Sequence, residues 1–428
     1  MTVLSICIPT FNRADWLRYC LDNLRALDAL DIDYEVVVVD HASTDHTPQM
    51  LAELAAHWPR LRHYRQTHSV GILRQFTGCF RMGRGTFTIY LADDDKIIPE
   101  KLVEYVRYLE ANPQVSAVYS PWWAYDDAEE KIIHGYFEVP ERKIFSAAEP
   151  FAMLDFITGR LIFPEIAVYR TEALHNIMLA HADGPYLSFV IAYGLLRQGN
   201  VVFDREPFYL EVATPKPQFA GSRRMNVDLN VSFLDNIRAG LEIAIERMLL
   251  DLGAQMVPDS LRNNLHEALL NYALQRLTVA FRRALAANQF VQASELAHRV
   301  MLWRGVFQPD LPDISRDIYA LAGVQAAALL ASSKTWLKQI YICGFKQTPD
   351  MVKLMRRVLP EDAINIEAAD MPTVLAYPDP EHVLVLVKHP DDRTAFLNGG
   401  LLHGNVVALE TMAKYYQILP ANYTLDLL

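Results

Sequence analysis

The chain has 428 residues, of which 51% are hydrophobic and 21% charged, which is enough for packed cores and too long for one ordinary domain. Its net charge is −11 and its lysines and arginines are scattered, which argues against a nucleic-acid-binding protein. The first residues, "MTVLSICIPTFNR", lack the basic region and cleavage site of a signal peptide, so we expect none. The longest mostly apolar run, at 319–331, is shorter than the ~20 residues that cross a bilayer. We therefore expect a cytoplasmic protein of two or three domains, with peripheral contact at the inner face of the membrane left open.

The cysteines Cys7, Cys20, Cys79 and Cys343 show neither close pairing nor the spacing of metal ligands. The first two fall at apolar positions of a predicted strand and a predicted helix, as buried free thiols do. This usage is typical of proteins in a reducing compartment.

Three apolar runs near the start, at residues 4–8, 34–40 and 86–92, predict buried strands. The segments between them carry apolar residues at helical spacing. Strands that are apolar on both faces and alternate with amphipathic helices indicate a Rossmann-like α/β fold, a mostly parallel sheet with helices on both faces. Further strands are predicted at 115–122, 165–170 and 200–211.

Residues 214–226, "TPKPQFAGSRRMN", contain prolines, a glycine and arginines without periodicity, which predicts an exposed loop. We place the end of the first domain there, so that it covers residues 1–227. Residues 228–335 are nearly all helical in pattern and predict a helical module. Residues 336–428 return to alternating strands and helices, which predicts a small α/β domain. For this C-terminal half we expect packing, homo-oligomerisation or partner binding.

Polar side chains follow each of the three N-terminal strands. Residues 9–13 follow the first, Asp40 ends the second, and the triple aspartate at 93–95 follows the third. Loops at the carboxyl ends of parallel strands converge, and ligands bind there. Three adjacent carboxylates repel one another unless a cation lies among them, so we expect a divalent cation that bridges carboxylates and nucleotide phosphates. The alternative is a solvated acidic turn.

The chain contains, in this order, "IPTFNR", "VVVVDHASTD", "SVGILRQFTGCFRMGRGTFTIYLADDD" and "ADGPYLSFVIAYGLLRQGNVVF". Their order and spacing resemble those of the family 2 glycosyltransferases of GT-A fold, over roughly residues 2–215. The resemblance implies an inverting enzyme that uses Mn²⁺ or Mg²⁺ and a nucleotide-diphosphate sugar, with a UDP-sugar as the expected donor. The Gln-x-x-Arg-Trp signature of processive synthases is absent. We therefore expect transfer of single sugars to a hydroxyl of a glycan, a lipid-linked acceptor or a protein.

The resemblance also implies which residues bind the donor. The nucleotide-binding positions that it implies are Thr10, Asn12, Arg13, Asp40 and Asp93. Asp94 or Asp95 would hold the metal. In the commoner form of the acidic signature the first carboxylate would fall at Ala92, so this chain has a shifted variant.

Asp183, in "HADGPY", matches the family's catalytic base, the carboxylate that takes the proton from the acceptor hydroxyl. The alternative is an ordinary turn. Arg223 and Arg224 lie in the loop after the core and are candidates for contacts with the diphosphate or the acceptor, because guanidinium groups suit phosphate oxygens. The alternative for these two arginines is a solvated basic loop.

Two other interpretations of the same motifs stay open. A sugar-nucleotide nucleotidyltransferase of similar fold generally begins with a glycine-rich basic loop, whereas "IPTFNR" has no glycine. A non-catalytic nucleotide-sugar-binding protein would have lost the metal carboxylates or the base, and both are present in this chain.

Overall fold

The structure is a computed structural model. It describes residues 2–68, 72–177, 187–219, 231–253, 258–304, 312–360 and 364–411. The chain divides into two compact units. The first comprises Met1–Asp228 and Asp235–Tyr272, and the second comprises Leu229–Leu234 and Ala273–Leu428. The domain boundaries expected at residues 227 and 335 stay predictions.

The strands of the first unit include the three apolar runs of the N-terminal sequence. In chain order they are β1 (Leu4–Thr10), β2 (Tyr34–Asp40), β3 (Leu61–Arg65), β4 (Phe87–Tyr90), β5 (Lys96–Ile97), β6 (Val115–Tyr119), β7 (Trp122–Asp126), β8 (Lys131–Gly135), β9 (Lys143–Phe145), β10 (Ala167–Arg170), β11 (Asn200–Phe203) and β12 (Tyr209–Thr214).

Most of these strands form one large sheet with the order β3-β2-β1-β4-β10-β6-β11-β9. Neighbours are parallel from β3 to β4 and again between β6 and β11, whereas β10 runs antiparallel between β4 and β6. The remaining strands form a small sheet with the order β5-β12-β7-β8. This architecture confirms the expected GT-A type of fold, a mostly parallel sheet between helices.

The helices from the start of the chain to residue 286 are, in order, α1 (Ala14–Leu24), α2 (Thr47–His57), α3 (Ile72–Phe80), α4 (Pro99–Ala111), α5 (Pro150–Gly159), α6 (Thr171–Ile177), α7 (Leu187–Leu196), α8 (Val231–Asp251) and α9 (Asp259–Ala286). In the first unit, Tyr272 of α9 donates a hydrogen bond from its hydroxyl to the carbonyl oxygen of Ile162 at 3.1 Å.

Helices cover both faces of the large sheet, and the four consecutive valines of β2 show why. Val36 and Val38 pack in one core with helices α1, α2 and α4. Val37 and Val39 face the other way and pack in a second core with α3, α5, α6 and α7. Successive side chains of a strand point to opposite faces, so a strand buried on both sides is apolar throughout.

The second unit contains a helical part followed by a small parallel sheet. Its further elements are α10 (Phe290–Arg304), α11 (Pro312–Ser332), β13 (Gln339–Cys343), α12 (Thr348–Met355), β14 (Asn365–Ala368), α13 (Met371–Leu375), β15 (Val383–Val387), α14 (Pro390–Asn398) and β16 (Val406–Ala408). The strands pair in parallel in the order β14-β13-β15-β16. The expected α/β character of the C-terminal segment is therefore present.

All four cysteines are buried and carry free thiols, which agrees with the burial predicted for Cys7 and Cys20. Among the helices that the structure describes, none combines the length and the apolar character needed to span a bilayer.

Candidate active site

The carboxyl ends of β1, β2 and β4 lie side by side at one edge of the large sheet, because β1 pairs with both of the other strands. Thr10, the last residue of β1, pairs in register with Asp40, the last residue of β2. The hydroxyl of Thr10 donates a hydrogen bond to Asp93 Oδ2 at 2.7 Å. Thr10, Asp40 and Asp93 therefore meet at the edge where open α/β sheets bind ligands.

The triple aspartate forms a tight turn that is fastened to the small sheet at its last residue. The backbone N–H of Asp95 donates to the carbonyl oxygen of Ala92 at 3.3 Å, which closes the turn. The hydroxyl of Tyr209 accepts a hydrogen bond from the N–H of Ala92 at 3.2 Å and donates one to Asp95 Oδ2 at 2.7 Å. The N–H of Val212 donates to Asp95 Oδ1 at 2.9 Å. Both oxygens of Asp95 are thus engaged by strand β12.

Arg13 joins the other two aspartates. Its Nη1 atom lies 2.8 Å from Asp93 Oδ1 and 3.0 Å from Asp94 Oδ2. Asp93 therefore receives hydrogen bonds from both Thr10 and Arg13, and the carboxylates of two successive residues converge on one guanidinium nitrogen.

Negative charge predominates in this turn. Burial and the neighbouring Asp94 carboxylate raise the pKa of Asp93 to about 6, although Arg13 and Thr10 oppose the rise. Burial and Asp94 likewise raise the pKa of Asp95 well above its ordinary value. The next cation along the chain, Lys96, is bound elsewhere, since its Nζ contacts Asp127 Oδ1 at 2.5 Å. A cation that reached these carboxylates would be attracted by all three of them.

Asp40 keeps one buried oxygen without a hydrogen bond. Its Oδ1 accepts a hydrogen bond from the N–H of Ser43 at 3.0 Å. Its Oδ2 lies 3.4 Å from Nε of Arg65 and accepts no hydrogen bond from any residue that the structure describes, although only 1% of the side chain is exposed. Buried polar atoms are nearly always hydrogen-bonded, so an oxygen of this kind points to a ligand that donates to it.

Phe11 presents an exposed aromatic ring at the same edge of the sheet, against the ring of His41. It follows Thr10 in the chain and is 48% exposed, and its ring meets that of His41 edge-on at 6.1 Å between centroids. His41 directly follows Asp40 and is itself buried. An exposed ring at this edge offers a flat apolar surface on which a planar base stacks.

Asn12 and Asp45 hold the loops of the site together. Asn12 has a left-handed backbone, with φ +52°, and its Oδ1 accepts a hydrogen bond from the N–H of Thr44 at 2.7 Å. Asp45 accepts hydrogen bonds from the N–H of Ala14 at 3.2 Å and from the N–H of Thr47 at 3.0 Å. Asn12, predicted to contact the nucleotide, thus ties the loop after β1 to the loop after β2.

The carboxylates of the turn suit a hard cation that is bound partly by its substrate. In the described part of the chain, no group of three or more histidine, cysteine, aspartate and glutamate side chains forms a complete metal cage. Mg²⁺ and similar ions are commonly bound through one or two carboxylates together with substrate phosphates. Asp93 and Asp94 match such a donor set, whereas Asp95 spends both oxygens on Tyr209 and Val212.

Several predicted site residues lie outside the described residues. These residues are Asp183, Arg223 and Arg224.

The comparison with known families decides the class of this domain. Residues 5–178 match the model of Glycosyl transferase family 2. The N-terminal domain belongs to this family. The matched segment includes the residues at the edge of the sheet described above, namely Thr10, Asp40 and the triple aspartate, which we call the rim.

Curated relatives of the family 2 domain match it over about 110 to 120 residues. An uncharacterized protein of Mycobacterium tuberculosis is 32% identical over 121 residues, 28% of this chain and 34% of that protein. Abequosyltransferase RfbV of Salmonella typhimurium is 25% identical over 26% of this chain and 34% of its own length. Poly(ribitol-phosphate) beta-N-acetylglucosaminyltransferase TarS of Staphylococcus aureus is 26% identical over 26% of this chain and 19% of its own length. The chain thus spans about a third or less of each of these relatives.

Two solved structures show a likeness at low identity. Mannosyltransferase PcManGT from Pyrobaculum calidifontis, in complex with GDP-Man and Mn²⁺, has a TM-score of 0.43 and 20% identity, over 76% of this chain and 86% of its own. Residues 1–349 of S. aureus TarS, in complex with UDP-GlcNAc, have a TM-score of 0.47 and 14% identity, over 77% of this chain and 86% of their own.

Tyr209 and Phe11 are site residues that the sequence prediction did not single out. The segment 200–211 is one strand in the sequence prediction, whereas the structure divides it into β11, in the large sheet, and β12, in the small sheet. The break falls at "DREP", where Pro207 cannot donate to a strand ladder, and this signal was available. The signal for Phe11 was its position, since it is an aromatic residue that directly follows the buried strand β1 in the sequence.

Proposed function

We propose that the protein is a metal-dependent inverting glycosyltransferase that moves a single sugar from a nucleotide-diphosphate sugar to an acceptor hydroxyl. The observation that carries the proposal is the set of carboxylates, Asp40, Asp93 and Asp94, at the rim of a family 2 domain. Asp40 offers a buried acceptor oxygen for a nucleoside, and Asp93 with Asp94 offers two converging carboxylates for a cation that binds a diphosphate. Both halves of a nucleotide-diphosphate donor therefore find complementary chemistry at one edge of the sheet.

The Asp40 oxygen that accepts no hydrogen bond from the described residues supports a uridine nucleotide as the donor. A carboxylate oxygen accepts the imide N–H of uracil, whereas cytosine carries no proton on the corresponding nitrogen. Guanine also presents N–H groups, so GDP-sugars are the second candidate. In this arrangement the base stacks on Phe11, and Thr10 stays bound to Asp93.

We propose Asp94 as the direct ligand of the metal, with the Asp93 carboxylate beside it facing both the cation and the ribose. Asp95 keeps the turn attached to Tyr209 and Val212. A bound Mn²⁺ or Mg²⁺ would supply neutralisation of the charge that develops on the departing diphosphate. We propose that Arg13 binds the same diphosphate oxygens, because a guanidinium group forms bidentate hydrogen bonds with phosphate.

In the proposed reaction the acceptor oxygen forms a bond to the anomeric carbon from the side opposite the leaving group. The bond from that carbon to the diphosphate oxygen breaks, and its electron pair leaves with the nucleoside diphosphate. The acceptor proton passes to a carboxylate base, for which we propose Asp183 on the strength of the sequence resemblance. Arg223 and Arg224 are proposed contacts for the diphosphate or the acceptor.

The acceptor class stays broad in this proposal: a hydroxyl of a glycan, a lipid-linked molecule or a protein. The names of two relatives describe different sugars, abequose and N-acetylglucosamine, so we propose that loops outside the shared rim choose the sugar. The cytoplasm is the proposed compartment, in agreement with four free buried thiols. Peripheral membrane contact and homo-oligomerisation through the C-terminal half stay predictions.

A thermal-shift screen of UDP-, GDP-, CDP- and dTDP-sugars, with and without Mn²⁺, tests the donor, because a ligand that binds the folded state raises its melting temperature. We expect the largest shift from a UDP-sugar with Mn²⁺. Asp94→Asn should lose the Mn²⁺-dependent part of the shift, whereas Asp155→Asn, at an exposed carboxylate of α5, should keep it. Absence of a shift with every nucleotide in the presence of metal would contradict the proposal.

The base is tested separately by Asp183→Asn. This variant should bind donor and metal as the wild type does and lose turnover, since the amide cannot accept the acceptor proton. Wild-type turnover in Asp183→Asn would exclude this residue as the base.

A further inference from the structure

Arg13 lies where a cation bound by the triple aspartate would lie. One of its nitrogens, Nη1, is 2.8 Å from Asp93 Oδ1 and 3.0 Å from Asp94 Oδ2. The side chains of Asp93 and Asp94 are only 7% and 9% exposed, whereas that of Arg13 is 28% exposed. The guanidinium therefore covers two buried carboxylates from the solvent side and supplies part of the positive charge that they require.

The carboxylates are fixed in place by contacts that do not involve Arg13. The turn is closed between Ala92 and Asp95 and fastened to Tyr209. Asp93 is also bound by Thr10 of β1. The backbone of the turn and the side chains of Asp93 and Asp95 therefore stay in place when Arg13 changes its position.

The backbone of Arg13 is fixed as well, so that only its side chain is left to move. Its carbonyl oxygen accepts a hydrogen bond from the N–H of Leu17 at 2.9 Å, in the first turn of α1. The residues on either side of Arg13 are hydrogen-bonded to the loop after β2. Asn12 accepts from the N–H of Thr44, and the N–H of Ala14 donates to Asp45. A long side chain on a fixed backbone changes partners by rotation about its own bonds, without rearrangement of the loop.

We propose that Arg13 is an internal counter-ion that competes with the divalent cation for Asp93 and Asp94, and that it turns to the donor's diphosphate when cation and donor bind together. This inference rests on the proposed donor class. Without a donor, a cation at Asp94 displaces Arg13 and leaves the guanidinium without a carboxylate partner. With the donor present, the diphosphate oxygens bind both the cation and Arg13, since guanidinium and phosphate match in geometry and charge.

The consequence is a coupling between metal and donor. The cation binds weakly to the empty site, where it must displace Arg13, and binds tightly when the diphosphate takes over the arginine. By linkage, the metal strengthens donor binding by the same factor. Arg13 is thus a positioning residue whose side chain makes loading of the site cooperative.

Titration of metal-free protein with Mn²⁺, followed by calorimetry and by the electron paramagnetic resonance signal of free Mn²⁺, tests this role. Arg13→Met removes the competing charge at similar length, and we expect it to bind Mn²⁺ without nucleotide about 10-fold more tightly than the wild type. The same variant should bind UDP in saturating Mn²⁺ about 10-fold more weakly, so that the coupling factor falls. Arg18→Met, at an exposed arginine of helix α1, which begins directly after Arg13, is the matched control and should change neither value.

Arg13→Gln provides a second variant in case the methionine protein does not fold, because its amide still donates to one carboxylate but carries no charge. Its Mn²⁺ affinity without nucleotide should change in the same direction. Equal or weaker Mn²⁺ binding by a folded Arg13 variant would overturn the inference while the proposed function stands. If instead the wild type binds no nucleotide in any metal, the proposed function fails and the inference fails with it.

Discussion

The hydroxyl of Tyr209, the first residue of strand β12, donates a hydrogen bond of 2.7 Å to Asp95 Oδ2 in the acidic turn. The same hydroxyl accepts the N–H of Ala92, the first residue of the turn. One side chain of the small sheet therefore holds both ends of the acidic turn that the large sheet presents. This contact gives Asp95 a structural role in the turn and supports our proposal that Asp94 is the residue that holds the cation.

Tyr209→Phe tests this assignment. Removal of the hydroxyl leaves Asp95 Oδ2 and the N–H of Ala92 buried without their partner, and an unsatisfied buried polar group costs about 1–3 kcal/mol. We expect the free energy of unfolding, measured by urea denaturation, to fall by about that amount. Tyr125→Phe, at a partly exposed tyrosine of β7, is the control and should cost less. A fully stable Tyr209→Phe protein would show that the turn does not depend on this contact.

The raised pKa of Asp93 predicts a specific pH dependence of stability. Its pKa is about 6 in the folded protein against an ordinary value of 3.8. Between these two pH values the folded state holds a proton that the unfolded state has released, so the contribution of Asp93 is present below pH ~4 and is lost as pH rises through ~6. The full difference corresponds to about 3 kcal/mol.

We expect the stability of the metal-free wild type, relative to Asp93→Asn, to decline over that interval in urea denaturation at a series of pH values. The comparison with Asp93→Asn removes the contributions of carboxylates outside the acidic turn, because these titrate alike in both proteins. A stability difference that stays constant from pH 4 to pH 7 would contradict the prediction.

Phe11→Ala tests the aromatic surface that Phe11 offers next to His41. Stacking of a base on an aromatic side chain contributes about 1–3 kcal/mol, so the dissociation constant of UDP should rise roughly 5- to 150-fold in calorimetry with Mn²⁺. Trp336→Ala removes an aromatic side chain of similar exposure, 51%, from the second unit and should leave UDP binding unchanged. The stability of Phe11→Ala should be close to that of the wild type, because the ring is half exposed.

Asp40→Asn tests which base the pocket prefers. The amide supplies N–H donors where the carboxylate supplied an acceptor, so the variant should bind UDP at least about 10-fold more weakly. Affinity for CDP should fall less or rise, because the unprotonated ring nitrogen of cytosine accepts an amide N–H. The quantity to measure is the ratio of the UDP and CDP dissociation constants. An unchanged ratio would place the base away from Asp40.

Local sequence patterns predicted the main sheet well because its strands are short and buried on both faces. The run at residues 34–40 predicted β2 with the same bounds, and the rule on carboxyl ends placed Thr10, Asp40 and Asp93 at one rim. Local patterns could not predict which contacts each of the three aspartates makes. These contacts depend on Tyr209, which lies 114 positions from Asp95 in the chain, and on Arg13, which lies 80 positions from Asp93.

Strand β10 is the one reversed strand in the middle of the large sheet, antiparallel to both β4 and β6. Because it is reversed, the loop that leads into it, residues 160–166, arrives at the same edge as the acidic turn. Burial raises the pKa of Tyr90 in β4, and the negative charges of the three aspartates and of Glu165 in this loop raise it further. Changes in the length and composition of this loop would therefore alter the surroundings of the acidic turn while leaving β1 and β2 unchanged.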